Sequence, residues 1–292
     1  MIWPQPRIIS PAKGGLARQG RRWATANSCG HPIQNVIQSN YTKAILMKLL
    51  SWNIRHGGGR RTHEIVSAIR NHDPDVVALS EYRTAPGVAL CGMLADGGWT
   101  HVESTTPSGR DNGICVVSRT PIRLRPSPPA PPENAVRWLD ADLPAFGFGT
   151  GIIHIVGSAP KLNERRGEAK ARFWEAVLST AQTRHHTPFV FIGDLNTGAH
   201  RIDEAGATFF CAEHFGRMTA LGWKDLWRAF NPNTTEYTWY SKRKGGACGN
   251  GFRLDHAFAS PALLPRVVDC RYSHHEREAG ISDHSILVVE IA

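Results

Sequence analysis

No run in the sequence approaches the ~20 consecutive apolar residues that a membrane-spanning helix needs. The first residues also lack the apolar core of a secretory leader, because Ile8 and Ile9 give way to Lys13, Arg18, Arg21 and Arg22. A soluble cytoplasmic protein with no membrane partner is therefore expected. Cysteine is sparse, six residues in 292, and none is spaced as C-x-x-C, which excludes a disulfide scaffold or zinc ribbon and fits a reducing compartment. Internal repeats and Gly/Ser linkers are missing too. Acidic residues are absent from positions 1–46, which hold six of the 34 Lys and Arg; the other 28 face all 25 Asp and Glu. The formal charge of +9 is thus mostly a basic tail, and overall charge is weak evidence for a nucleic-acid partner.

What is present divides the chain at about residue 45. Residues 1–45 show no apolar periodicity and read as a basic, disordered N-terminal extension, with Met47 as an alternative start. From 46 to 292, apolar strand-like runs alternate with helical patterns, as in one α/β domain. Strands are expected at Leu49–Asn53, Val76–Ser80, Gly113–Ser118, Val136–Asp140, Gly149–Ile155, Phe189–Asp194, Arg253–Ala259, Val267–Tyr272 and Ile286–Ile291. Helices are expected at Glu64–Asn71, Glu164–Thr183 and Asp203–Leu221. The prolines of 126–132 read as a stiff surface loop.

Several of these strands run straight into a carboxylate or amide: Asn53 after Leu49–Trp52, Glu81 after Val76–Ser80, and Asp194 with Asn196 after Phe189–Gly193. One such residue is mostly a helix cap or turn former. Three with the same placement converge on one sheet edge. The C-terminal third adds Arg253-Leu254-Asp255-His256 and Ser282-Asp283-His284-Ser285. Clustered carboxylates need a hard cation, and oxygen donors favour Mg²⁺ or Mn²⁺ over zinc. Neighbours on an extended segment point to opposite faces, so Asp255, not Asp283, is the residue placed to orient His284, raise its pKa and keep it cationic beside a phosphate.

The ordered set S-W-N-I, L-S-E, I-H-I, G-D-L-N, R-L-D-H and S-D-H-S resembles the endonuclease/exonuclease/phosphatase superfamily over Met47–Ala292, closest to its exonuclease III and abasic-site endonuclease branch. The resemblance implies a four-layered α/β sandwich, two mixed β-sheets face to face with helices outside, and metal-assisted hydrolysis of a phosphoester. It implies Asn53, Glu81 and Asp283 at the metal. It makes Asp194 the residue that activates water, Asn196 its orienting partner, Asp255 and His284 the terminal pair, and His154 a donor to the phosphate. Trp239, beside Tyr240 and Lys242, with Phe252 and Arg253, suits stacking and phosphate contact. Asn112 falls near the place where relatives support the first histidine, and counts as a candidate substrate contact. The Gly57–Gly59 run offers backbone N–H groups to a phosphate.

Three departures from the branch stand out: Arg55-His56-Gly57-Gly58-Gly59 after the first motif, Ser80 before Glu81, and His154 in place of tyrosine. The main expectation is a Mg²⁺-dependent, monomeric nuclease acting on DNA, with a DNA-repair role and no obligate protein partner. A phosphatase or phosphodiesterase acting on a small phosphorylated metabolite or lipid headgroup is the second reading. A catalytically silent nucleic-acid-binding member is the third, disfavoured because unneutralised carboxylates cost stability.

Overall fold

In a computed structural model of the chain, residues 46–292 are described apart from 110, 127–131, 156, 158–163 and 243–247. The expected 1–45 extension, most of the proline-rich loop and the basic, glycine-bearing run at 243–247 lie outside the described residues.

The elements in chain order begin with β1 (Met47–Asn53), α1 (Thr62–His72), β2 (Val76–Tyr82), α2 (Thr84–Ala95), β3 (His101–Ser104), β4 (Gly113–Ser118) and β5 (Arg123–Leu124). There follow β6 (Trp138–Leu143), β7 (Phe148–His154), α3 (Glu164–Arg184), β8 (Phe189–Asp194), α4 (Ala212–Ala220), β9 (Lys224–Asp225) and α5 (Leu226–Phe230). The chain closes with β10 (Trp239–Lys242), β11 (Cys248–Phe252), β12 (Asp255–Ala259), β13 (Val267–Ser273), α6 (His275–Glu278) and β14 (Ile286–Ile291).

Two six-stranded mixed sheets form, ordered β13-β14-β1-β2-β4-β3 and β5-β6-β7-β8-β12-β9, with β10 and β11 as a separate ribbon. Alternation along each strand explains their stacking. Leu49, Val76, Ala78, Val116 and Val289 of one sheet meet Ile152, Val190, Ile192 and Ala257 of the other in a central core. The opposite faces take the helices. Leu50, Trp52, Val77 and Leu79 pack with Ile65 and Ile69 of α1 and Leu90 and Leu94 of α2, while Phe189 and Phe191 pack with Phe173, Trp174 and Val177 of α3. The result is the expected four-layered sandwich. No helix among the described residues is long and apolar enough to cross a membrane, and Cys91, Cys115, Cys211, Cys248 and Cys270 are all free.

Two expectations need correction, and helix α2 was not expected. The helix placed at Asp203–Leu221 is only Ala212–Ala220. Upstream, Asp203 accepts the Ala199 N–H and Glu204 accepts those of Thr208 and Phe209, so side chains take donors that a helix would need. The strand expected from Val136 begins at Trp138, because 132–137 winds as a 3₁₀ helix. Helix α2 escapes the sequence reading because it carries Pro86 and Gly87. Proline is tolerated in a first turn, and Gly87 lies against Tyr82, whose ring would be 2.1 Å from any Cβ there.

Candidate active site

The site forms where the ends of β1 and β2 in one sheet meet the ends of β7, β8 and β12 in the other. In the second sheet, His154 pairs with Asp194 and Asp194 with Asp255, so three functional groups lie in one cross-strand row. Gly193 makes that row possible. Its φ is 144°, and a Cβ there would fall 2.0 Å from the Ile153 carbonyl oxygen, so only glycine lets β7 and β8 approach this closely.

Glu81 reaches the site through a β-bulge. The β2–β4 register shifts between Ser80 and Tyr82, and Glu81 itself has φ 57°, which turns its carboxylate away from the alternation of its strand. Arg55, His56 and Asn196, with φ of 53°, 56° and 47°, also adopt the left-handed conformation that β-carbons disfavour. Backbone strain gathered at one sheet edge is characteristic of functional sites.

Hydrogen bonds join these groups. Asn53 Nδ2 donates to Asp194 Oδ2 at 3.0 Å and to Glu81 Oε1 at 3.4 Å, while its Oδ1 accepts the Arg55 N–H. Asn53 therefore bridges two carboxylates with its nitrogen. Asp194 Oδ1 accepts the Asn196 N–H at 3.0 Å. His284 Nδ1 lies 2.9 Å from Asp255 Oδ2, and its Nε2 lies 3.9 Å from Asp194 Oδ2. Burial lowers the pKa of His284, but Asp255 and then Asp194 overcome it and raise it to about 10. Burial, with Asp255 adding to it and His284 opposing, pushes Asp194 up to about 7. His154 is held well below the usual imidazole range by burial and then by Arg137. Its neutral ring lies against Arg137 Nη1, 2.9 Å from Nδ1 and 3.4 Å from Nε2, with Nε2 3.7 Å from Asp194 Oδ2.

Arg137 is the functional group the sequence reading missed. Its guanidinium is desolvated and lies in the field of Glu81 and Asp194, touching His154. It falls inside the strand expected at Val136–Asp140, whereas in the structure it ends the 3₁₀ turn just before β6, which pairs with β7. His56, also unassigned, sits on Glu81: its N–H donates to Oε2 at 2.8 Å and its Nδ1 is 2.9 Å from the same oxygen.

The structure does not bring every candidate into this cluster. Arg253 is 1% exposed, and its guanidinium is spent on Asp225 and Asp203, so it has no access to substrate. The same Arg253 holds Asp225 far below the ordinary carboxylate range despite burial. Asn112 is buried, accepts from Arg83 Nε at 2.8 Å and approaches His56; it supports that histidine, not His154. Asp283 acts electrostatically on Arg61 and His284 and makes no close contact with Glu81 among those described. The Gly57–Gly59 amides are no phosphate cradle, since they donate to Glu81, Arg55 and Gly57 carbonyls. Trp239 is half-buried with its ring 6.5 Å from His284 and 5.9 Å from Phe252, forming an aromatic wall beside the site.

Comparison with known proteins places this geometry. Exodeoxyribonuclease III of Haemophilus influenzae is 26% identical over 245 residues, covering 76% of this chain and 91% of the relative. The DNA repair nuclease APEX1 of Danio rerio is 24% identical over 272 residues, covering 86% and 84%. The structure of an AP endonuclease from Archaeoglobus fulgidus superposes with a TM-score of 0.72 at 23% identity, over 84% of this chain and 99% of that one, and so shares the fold. The profile of the Endonuclease/Exonuclease/phosphatase family matches residues 50–284, and with that span covering most of the sandwich and its acidic edge, the chain belongs to this family.

Proposed function

We propose that the chain is a Mg²⁺-dependent phosphodiesterase that cleaves DNA, a monomeric, cytoplasmic repair nuclease. The observation that carries the reading is the Asp255–His284–Asp194 row facing His154 and Arg137: one buried carboxylate poised near neutrality, with the Asn53, His154 and His284 nitrogens around it. The names of the relatives, both deoxyribonucleic acid enzymes, support DNA as the substrate. So does the Trp239–Phe252 wall, since aromatic faces stack on bases.

The donor set fits a hard divalent cation. Glu81 Oε1 and Asp194 Oδ2 share the single Asn53 amide nitrogen, so two carboxylate oxygens already converge with only one neutral donor between them. Asp194, Asp255 and His284 also lie close enough to share an ion. We assign those three to that row, because His284 Nδ1 is already engaged by Asp255. Glu81, with Asn53 beside it, would hold the cation, which would supply charge to the phosphate oxygens and to the leaving oxyanion.

The chain's own groups do the remaining work. Asp194, with a pKa near neutrality and its Oδ1 held by the Asn196 N–H, takes a proton from the attacking water. Cationic His284 donates from Nε2 to the phosphate as charge builds up on it. Arg137 pairs with a non-bridging phosphate oxygen while its Nη1 donates to the neutral His154 ring, 2.9 Å from Nδ1.

The test is Mg²⁺-dependent cleavage of three labelled DNAs, an intact duplex, an abasic-site duplex and a 3′-phosphate end, with Asp194→Ala and EDTA as controls. Cleavage lost in both controls supports the proposal. Hydrolysis of a generic phosphoester without cleavage of any DNA would instead establish a small-molecule phosphatase.

A further inference from the structure

Helix α3 packs a stripe of Phe173, Trp174, Val177, Leu178 and Ala181 into the outer core. Lys170 occupies the next position of that stripe, where helical periodicity calls for an apolar residue. It is 1% exposed. Among the described residues it has no carboxylate within ion-pair distance, and its Nζ donates to the Asn196 carbonyl oxygen at 2.6 Å. Burial pushes the ammonium down to about 8 against the pull of Cys211 and Asp194. A buried cation without an ion-pair partner works against folding, and a neutral side chain of equal length would fill the same space at less cost.

What the ammonium holds is the catalytic turn. Asn196 is a non-glycine residue at φ 47°, and in that conformation its N–H reaches Asp194 Oδ1 while its Nδ2 donates to the Ile155 carbonyl at 2.9 Å. One residue further on, Trp174 Nε1 of the same helix donates to Thr197 Oγ1 at 3.2 Å. Helix α3 thus grips the 194–197 turn at two adjacent residues. A charged donor makes a stronger hydrogen bond than a neutral one. We infer that Lys170 is a positioning residue for phosphoester hydrolysis, its charge-assisted hydrogen bond locking the left-handed Asn196 so that the Asn196 N–H keeps Asp194 aimed at the reacting phosphate.

The inference rests on the catalytic reading of Asp194 and Asn196, and one readout is independent of turnover. Lys170→Met and Lys170→Gln are compared with the wild type by melting temperature, by amide hydrogen exchange across residues 194–197, and by kcat and KM on the DNA that the wild type cleaves. Lys170→Met should melt at or above the wild-type temperature. Exchange in the turn should accelerate about tenfold with the sheets unchanged, and kcat should fall at least tenfold while KM stays within threefold. In an Asn196→Ala background the same change should cost less than threefold, because Lys170 acts through Asn196. Unchanged exchange overturns the inference whether or not the wild type cleaves DNA. A loss that multiplies fully with Asn196→Ala overturns it, as does failure of both neutral variants to fold, which would make the lysine a structural support. Faster exchange in a protein that cleaves no DNA would uphold the grip on the turn and reject the nuclease reading alone.

Discussion

Asp194 and Asp255 face each other directly across the antiparallel β8–β12 pair, and His284 reaches both, with Nδ1 2.9 Å from Asp255 and Nε2 3.9 Å from Asp194. Two carboxylates in such a register repel one another. The imidazolium between them turns that repulsion into a raised histidine pKa and a poised base.

Removing Asp255 takes away the largest interaction that offsets burial at His284, leaving Asp194 and Asp283 to oppose it. Asp255→Asn should therefore move the alkaline limb of the kcat profile down by more than one pH unit and lower kcat at pH 8 by about 10²-fold or more. Rates measured from pH 5 to 10 decide this, and an unmoved limb would remove His284 from the reaction.

The same shifts predict how stability follows pH. His284, raised to about 10, contributes stability that is complete below its ordinary value near 6.5 and lost as pH rises through 10. Asp194, raised to about 7, holds its proton longer when folded, so its ionisation also lowers stability as pH rises from about 4 to 7. Neutral His154 opposes both below pH 6.5, because the folded state refuses the proton that the unfolded chain accepts. Without metal, the melting temperature should fall between pH 6.5 and 10, and His284→Gln should flatten that fall. Added Mg²⁺ should raise melting most above pH 7, where Asp194 is ionised.

Arg253 is structural in this fold. Arg253→Ala strands buried Asp225 and Asp203 and should cost about 3–5 kcal/mol in denaturant unfolding. At temperatures where the variant remains folded, DNA affinity by fluorescence anisotropy should stay within twofold. A selective loss of affinity would restore Arg253 to the substrate surface.

Trp239→Ala should act in the opposite sense, weakening DNA binding by about 1–3 kcal/mol with little change in melting temperature. Equal affinities of the two proteins would dissociate the aromatic wall from the substrate.

Arg137→Ala should lower kcat/KM by about 10²-fold, with Arg137→Lys failing to restore it, because a point charge cannot hold both the phosphate and His154 Nδ1. Full activity in the lysine variant would show that Arg137 supplies charge alone.

Much of this protein was legible before its fold. The apolar strands whose ends carry Asn53, Glu81 and Asp194 were readable because strand burial imposes a local pattern, and the Asp255–His284 pairing followed from the opposite facing of neighbouring residues on an extended chain. The layered sandwich followed from the resemblance of the ordered motifs. The α2 helix and the short α4 were not readable, since Gly87 fits under Tyr82, and Asp203 and Glu204 capture backbone donors, only through contacts made in the folded chain. The sequence by itself determined which residue types stand at the strand ends and therefore the class of chemistry. Tertiary structure alone decided which of them can act. Two arginines of equal charge, Arg137 and Arg253, differ only in what surrounds them: Arg253 is neutralised by two buried carboxylates, whereas Arg137 faces the site beside a neutral histidine. The charge of a side chain is written locally, but its solvation and its partners come from residues far apart in the chain, and those decide whether the charge holds the fold or meets the substrate.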